Sequence, residues 1–204
     1  MSGYRALRIG DVEGVPWLAG LTWHPVRMEL GLHAFGAAGF SAERRGQLVV
    51  EPHVEDGDGR GHEELYVVLA GRATFTLDGE TVDAPAGTLV FVAPAVHRQA
   101  VAEEAGTAVL ALGGPPTFEV SGFEWQMRAR PHMASDPARA RAILQQGLAE
   151  LPGSAAIPYA FALLEATQGD TVAAALSLRE ALAREPRLRA EAEKEPLLAP
   201  LLEG

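Results

Sequence analysis

The stretch Gly61-His62-Glu63-Glu64-Leu65-Tyr66-Val67-Val68-Leu69-Ala70-Gly71 decides the fold class. Residues 65–70 are aliphatic, aromatic and β-branched, and Gly71 stands just beyond them. That is the pattern of a strand running into a tight turn. Working outward, residues 72–77 and Glu80-Thr81-Val82 flank Asp78-Gly79. Asp-Gly tolerates the positive φ of a type I′ turn, so a hairpin is predicted there. Ala84-Pro85-Ala86-Gly87 is the next turn, and 88–92 the next strand. Apolar runs at 29–36, 47–51, 100–102 and 107–112 complete the pattern. They recur roughly every eight to twelve residues, the spacing of an all-β sandwich or barrel. The Gly/Asp-rich stretch 54–61 has no apolar anchor and reads as a loop.

The 204 residues allow one or two domains, and 48% apolar with 22% charged residues indicates a folded chain. Cysteine is absent, which removes disulfides, thiolate metal sites and thiol nucleophiles. Asp and Glu outnumber Lys and Arg by 27 to 17. This acidity speaks against nucleic-acid and anionic-membrane binding, both of which need a cationic surface. No apolar run is long enough for a membrane span, and the N-terminus lacks the core of a signal peptide, so a cytoplasmic protein is expected. Neither a Gly-x-Ser-x-Gly nor a Walker or dinucleotide fingerprint is present.

Strand parity places candidate site residues. Side chains at i and i+2 share a face, so if Glu64 faces a cavity, His62 and Tyr66 do too. An imidazole and a carboxylate on one inward face can chelate a divalent ion, and His53 and Glu55 precede the loop and could complete such a site. The competing reading is a hydrogen bond between His62 and Glu64 at the mouth. Glu63 should be solvated. His24 and His33 are read as packed or surface strand residues and His132 as solvated. Trp17, Trp23 and Trp125 are read as core or dimer-contact residues.

The segment His62 to Gly71 resembles the first motif of the cupin superfamily, in which a Glu, six residues and a Gly open a strand and turn; here these are Glu64 and Gly71. The stretch 84–94 resembles the second motif. The resemblance implies a mainly β, RmlC-like cupin jelly-roll barrel with a ligand cavity at one mouth. Metal-binding cupins carry His-x-His shortly before the Glu, where Asp58 and Arg60 stand here. A third His ends their second motif. Here either His97, with a one-residue deletion, or Arg98 takes that place. Expected cavity contacts are therefore His62, Glu64, Tyr66, His97 and Arg98. The candidate metal ligands are His62, Glu64 and His53, for Zn, Fe, Mn or Ni.

The C-terminal third changes texture. Ala, Leu, Glu and Arg dominate from 133 onward, which favours helix. Asp136-Pro137 is an N-cap followed by Pro at the first helical position, starting a helix to about Leu151. Further helices are predicted over 155–168, from Asp170 or Thr171 to about Arg184, and over 187–194. Pro152 and Pro186 lie 34 residues apart, and Ala140, Leu144 and Gly147 recur as Ala174, Leu178 and Ala181. This resembles tetratricopeptide repeats, which have that period. One full repeat and a preceding half are expected. So short an array buries its faces poorly, which predicts docking on the barrel, a second subunit or another protein. The whole order resembles actinobacterial-type cupin proteins with such tails. The expected domains are a barrel over 1–112, a linker over 113–132 and a tetratricopeptide-like helical domain over 133–204.

Three functions follow as expectations. The first is a sensory or ligand-binding cupin for a small molecule, with a degenerate metal site, a homodimer assembled in part by its tail. The second is a metal-dependent enzyme of the dioxygenase, isomerase or decarboxylase type. The third is an interaction module whose residues 133–204 bind a protein partner.

Overall fold

The computed structural model describes residues 6–56, 61–117 and 121–202. Asp58 and Arg60 lie outside the described residues. The chain divides into two compact units, Met1–Phe118 and Glu119–Gly204, each with its own hydrophobic core.

The first unit is built from antiparallel strands. β1 (Val15–Pro16), β2 (Leu21–His24), β3 (Gly36–Ala42), β10 (Thr107–Gly114), β5 (Glu63–Ala70) and β8 (Leu89–Val92) lie in that order in a six-stranded sheet. β4 (Leu48–His53), β9 (Arg98–Ala102), β6 (Arg72–Leu77) and β7 (Glu80–Pro85) form a four-stranded one. The two antiparallel sheets fit the expected jelly roll, but neither closes on itself among the described residues. The barrel is thus an open two-sheet sandwich, with β1, β8, β4 and β7 as edges.

Alternation along β5 sends Glu64, Tyr66 and Val68 inward and Leu65 and Val67 outward. Tyr66 and Val68 join Val50, Phe75, Ala100 and Val109 in a core drawn from both sheets. The rings of Tyr66 and Phe75 meet across it at 5.5 Å between centroids. Gly71 turns β5 into β6 at φ +68°, and a Cβ there would fall 2.5 Å from Thr107 Oγ1. Both facts demand glycine. The Asp78-Gly79 hairpin forms as expected, with φ of 48° and 89° and Leu77 paired to Glu80.

The strand expected over 29–36 is corrected. Val26–Leu30 is a short helix, α1, closed by Gly31 at φ 69°, and β3 begins only at Gly36. Pro25 stands at its N-cap and Met, Glu and Leu favour its turn. The preceding strand β2 and most of β3 lay outside the apolar runs.

The second unit is helical: α2 (Gly122–Ala129), α3 (Pro137–Glu150), α4 (Ala156–Thr167), α5 (Thr171–Arg184) and α6 (Arg189–Ala192). Asp136 and Asp170 cap α3 and α5 by accepting from the backbone N–H of Arg139 and Ala173. Such caps contribute about 1 kcal/mol each. Pro158 is harmless in the first turn of α4, whose N–H groups have no helical acceptor. α2 falls inside the stretch read as a linker. Ser121 caps it, and its Trp125 is buried in the helical core. The buried residues of α3 are Ala140, Leu144 and Gly147, and those of α5 are Ala174, Leu178 and Ala181. Trp125 and Tyr159 stand at the same offset on α2 and α4, and both are buried. A helix therefore precedes Pro131, where the sequence analysis expected a linker. Ala192 and Leu198 add to the core from the C-terminal side.

Candidate functional site

At one end of the sandwich, the last residue of β4, the start of β5 and the first residue of β9 meet. The ladder sets His53 opposite Arg98 in the four-stranded sheet. It sets Glu64 opposite Val92 and Gly113 in the six-stranded one. The sheets face each other, so the inward side chains of these residues converge.

Glu64 is the hub. Its Oε2 accepts from the Tyr66 hydroxyl and, at 3.1 Å, from an Arg98 NH group. His53 Nε2 lies 3.5 Å from the same oxygen and 3.6 Å from Glu55 Oε1. Arg98 is 0% exposed and also donates to the carbonyls of Ala93 at 2.7 Å and Pro94 at 3.1 Å. Its Nε and Glu51 Oε2 are buried without a partner among the described residues. His53 Nδ1 sits 2.7 Å from the Glu51 carbonyl. A carbonyl only accepts, so Nδ1 carries a proton, and Nε2 must gain one to donate to the carboxylates.

The titrations follow. The bond to Glu64 raises the pKa of His53 above 6.5, against an opposing effect of burial. Burial pushes Glu64 up, but the bonds from His53 and Tyr66 and the charges of His53 and Arg98 outweigh it, and its pKa falls below 4.5. Burial first, then the Glu64 charge, pushes the Tyr66 phenol far up, so it stays a donor.

Of the expected cavity contacts, Glu64, Tyr66 and Arg98 come together, and His53, expected as a metal ligand, joins them. Arg98, not His97, points inward: consecutive strand residues face opposite ways, and one alone can enter. His97 is exposed, and its backbone N–H donates to Asp78 Oδ1 at 2.9 Å. His62 sits ahead of β5 and is half exposed. Its Nδ1 faces Glu55 Oε2 at 3.4 Å rather than Glu64. Glu55 thus takes the place the sequence reading assigned to His62: ligand atoms of His53, Glu55 and Glu64 lie within 4.8 Å of one another. The spacing admits a divalent ion, but the charges do not suit one. A guanidinium already holds Glu64 Oε2, and a second cation beside it would be repelled. The donor set is thus one imidazole and two carboxylates, with one carboxylate oxygen already paired to a guanidinium.

Next to the hub opens a cavity of about 590 Å³. Its floor is the inner face of β3 and β10, where Gly36 pairs with Gly113 and Ala38 with Ala111. Small side chains at these inward positions leave the space. Trp23, Phe35 and Phe40 wall it, α1 and the following loop roof it through Arg27, Met28, Leu32 and His33, and His62 and Glu64 border it. Sequence reasoning missed Trp23, Arg27, His33 and Phe40 as cavity residues. The signal was the glycine and alanine content of 36–39 and 113–114.

No protein-family model matches the chain, and no curated protein matches it. Solved structures do. One is a cupin protein from Bacteroides fragilis, 23% identical, covering 59% of this chain and 92% of that one at TM-score 0.44. A second is an RmlC-like cupin from Shewanella frigidimarina, 19% identical, covering 57% and 95% at TM-score 0.43. A third is a sugar phosphate isomerase of the cupin superfamily from Silicibacter pomeroyi, 17% identical, covering 54% and 75% at TM-score 0.44.

Proposed function

We propose that the chain is a cupin-type protein that binds a small molecule without a catalytic metal. In this reading residues 1–112 form the binding domain, 113–132 connect, and 133–204 form a tetratricopeptide-like unit serving assembly or a protein partner. One observation carries it: the buried guanidinium of Arg98 lies 3.1 Å from Glu64 Oε2, so a cation of the chain itself already pairs with this carboxylate. A buried carboxylate must be matched by a cation or take up a proton. Here the chain supplies that cation itself, and an adjoining cavity of about 590 Å³ is of ligand size. The matched burial of α3 and α5 supports the repeat reading.

A metal-dependent enzyme is the second reading, resting on the His53, Glu55 and Glu64 group. Metal analysis of protein purified without a histidine tag separates the two. We expect no stoichiometric metal and no rise in melting temperature on adding Mn, Fe, Ni or Zn. Near-stoichiometric metal that disappears in both His53→Ala and Glu64→Gln would overturn the first reading and support the second.

A further inference from the structure

The cavity lining differs in charge from the rest of the chain. Acidic groups outnumber Lys and Arg by 27 to 17 overall, yet Glu64 is the one carboxylate among the described lining residues. Its charge is matched from behind by Arg98, which is wholly buried and does not line the cavity. The lining residues that can carry positive charge are therefore Arg27, His33 and His62; Arg27 spends one guanidinium N–H on the Leu32 carbonyl at 3.3 Å, and His62 Nδ1 stands 3.4 Å from Glu55. One group among these is permanently cationic, which suits a single negative charge better than two. The walls are aromatic: Trp23, Phe35 and Phe40 offer flat surfaces to an apolar body.

Glu64 sets the other requirement. All its bonds fall on Oε2, and Oε1 accepts none among the described residues. Gly113 keeps that oxygen open: a Cβ there would lie 3.2 Å from Glu64 Cγ and 3.6 Å from Oε1. An ionised carboxylate oxygen bordering an apolar cavity calls for a donor.

We infer that the cavity takes a small organic monoanion: a carboxylic acid with a flat apolar body, its acid group toward Arg27 and a hydroxyl toward Glu64 Oε1. This rests on the ligand-binding reading above.

Calorimetric titration with three probes tests it: 4-hydroxyphenylacetate, phenylacetate and the neutral 4-hydroxybenzyl alcohol. The hydroxy acid should bind tightest. Arg27→Ala, an exposed position on a short helix, should weaken both acids by about tenfold and leave the alcohol unchanged. The ligand class is overturned if the alcohol binds as tightly as the acids, or if Arg27→Ala leaves the acids unaffected; binding in the cavity then still stands. Equal affinity for the two acids would strike the hydroxyl from the class and so overturn the proposal in this form. If none of the three binds at millimolar concentration the class also falls, and stoichiometric metal in the same preparation would take the ligand-binding reading with it.

Discussion

Arg98 is the residue on which the site turns. Sequence reasoning reached its neighbourhood but left His97 and Arg98 as alternatives, because one residue of register in a strand reverses which side chain points in. Three-dimensional pairing to His53 and Leu77 selects Arg98. Its removal should be severe. Arg98→Met puts an apolar side chain beside Glu64, which is 14% exposed and keeps only His53 and Tyr66 as partners, a loss of about 3 kcal/mol. Replacing both partners, Arg98→Met with Glu64→Leu, should cost much less than Arg98→Met alone. Urea denaturation of the three proteins measures this; equal losses would mean the pair is not the unit. Stability should also depend on pH from both sides. The Glu64 pKa is lowered from 4.5, so its contribution is complete above 4.5 and lost as pH falls through the folded value. The His53 pKa is raised from 6.5, so its contribution is complete below 6.5 and lost as pH rises through the folded value. Melting temperature across pH should therefore fall off at each end, and His53→Gln should flatten the alkaline limb.

Elements with strong local chemistry were readable. The Asp78-Gly79 hairpin and the Asp136 and Asp170 caps depend on contacts within a few residues, so the sequence carries them whole. β3 was not readable. Gly36-Ala37-Ala38-Gly39 has poor strand propensity, and pairing with β2 and β10 on either side holds it extended. α2 hid behind Gly113-Gly114-Pro115-Pro116 and Pro131, which bracket it with breakers. Its anchor is tertiary: Trp125 packs so closely on α3 that a Cβ at Gly147 would lie 2.6 Å from the indole Cγ. In an open helix, Gly→Ala stabilises by up to about 1 kcal/mol. Gly147→Ala should instead destabilise, with a shift in Trp125 fluorescence, whereas Gly153→Ala, with nothing within 4 Å of its Cβ position, should show no such shift. A thermal melt showing Gly147→Ala more stable than the parent would mean α2 and α3 are not packed this way.

At the scale of the molecule, the outer face of the six-stranded sheet is apolar in rows. Leu65 stands opposite Phe91 and Leu112, and Val67 opposite Leu89 and Leu110. Leu89 is 64% and Phe91 60% exposed, on the edge strand β8. An apolar sheet face that runs out to an unpaired edge can pair with its own copy about a two-fold axis, extending both the face and the hydrogen-bond ladder. We expect a homodimer through it. Light scattering should give twice 21.6 kDa, and Leu89→Lys with Phe91→Glu should return a single-chain mass. A parent protein that already scatters as one chain at micromolar concentration would end this idea. No helix of the described residues is long and apolar enough to cross a membrane.

The sequence by itself determined the change from strand to helix periodicity, the turns, the caps and the inward parity of Glu64 and Tyr66. All of these depend on backbone preference and on side chains close along the chain. Only the tertiary structure decided what surrounds Glu64. Its partners Arg98 and His53 come from other strands. The cavity beside it comes from small residues on β3 and β10 and from a roof at α1, none of which shares a local pattern with the motif. Which cation neutralises a buried carboxylate is settled by strand register and sheet packing, because the electrostatic cost of burial is met by whatever side chain the fold brings within bonding distance.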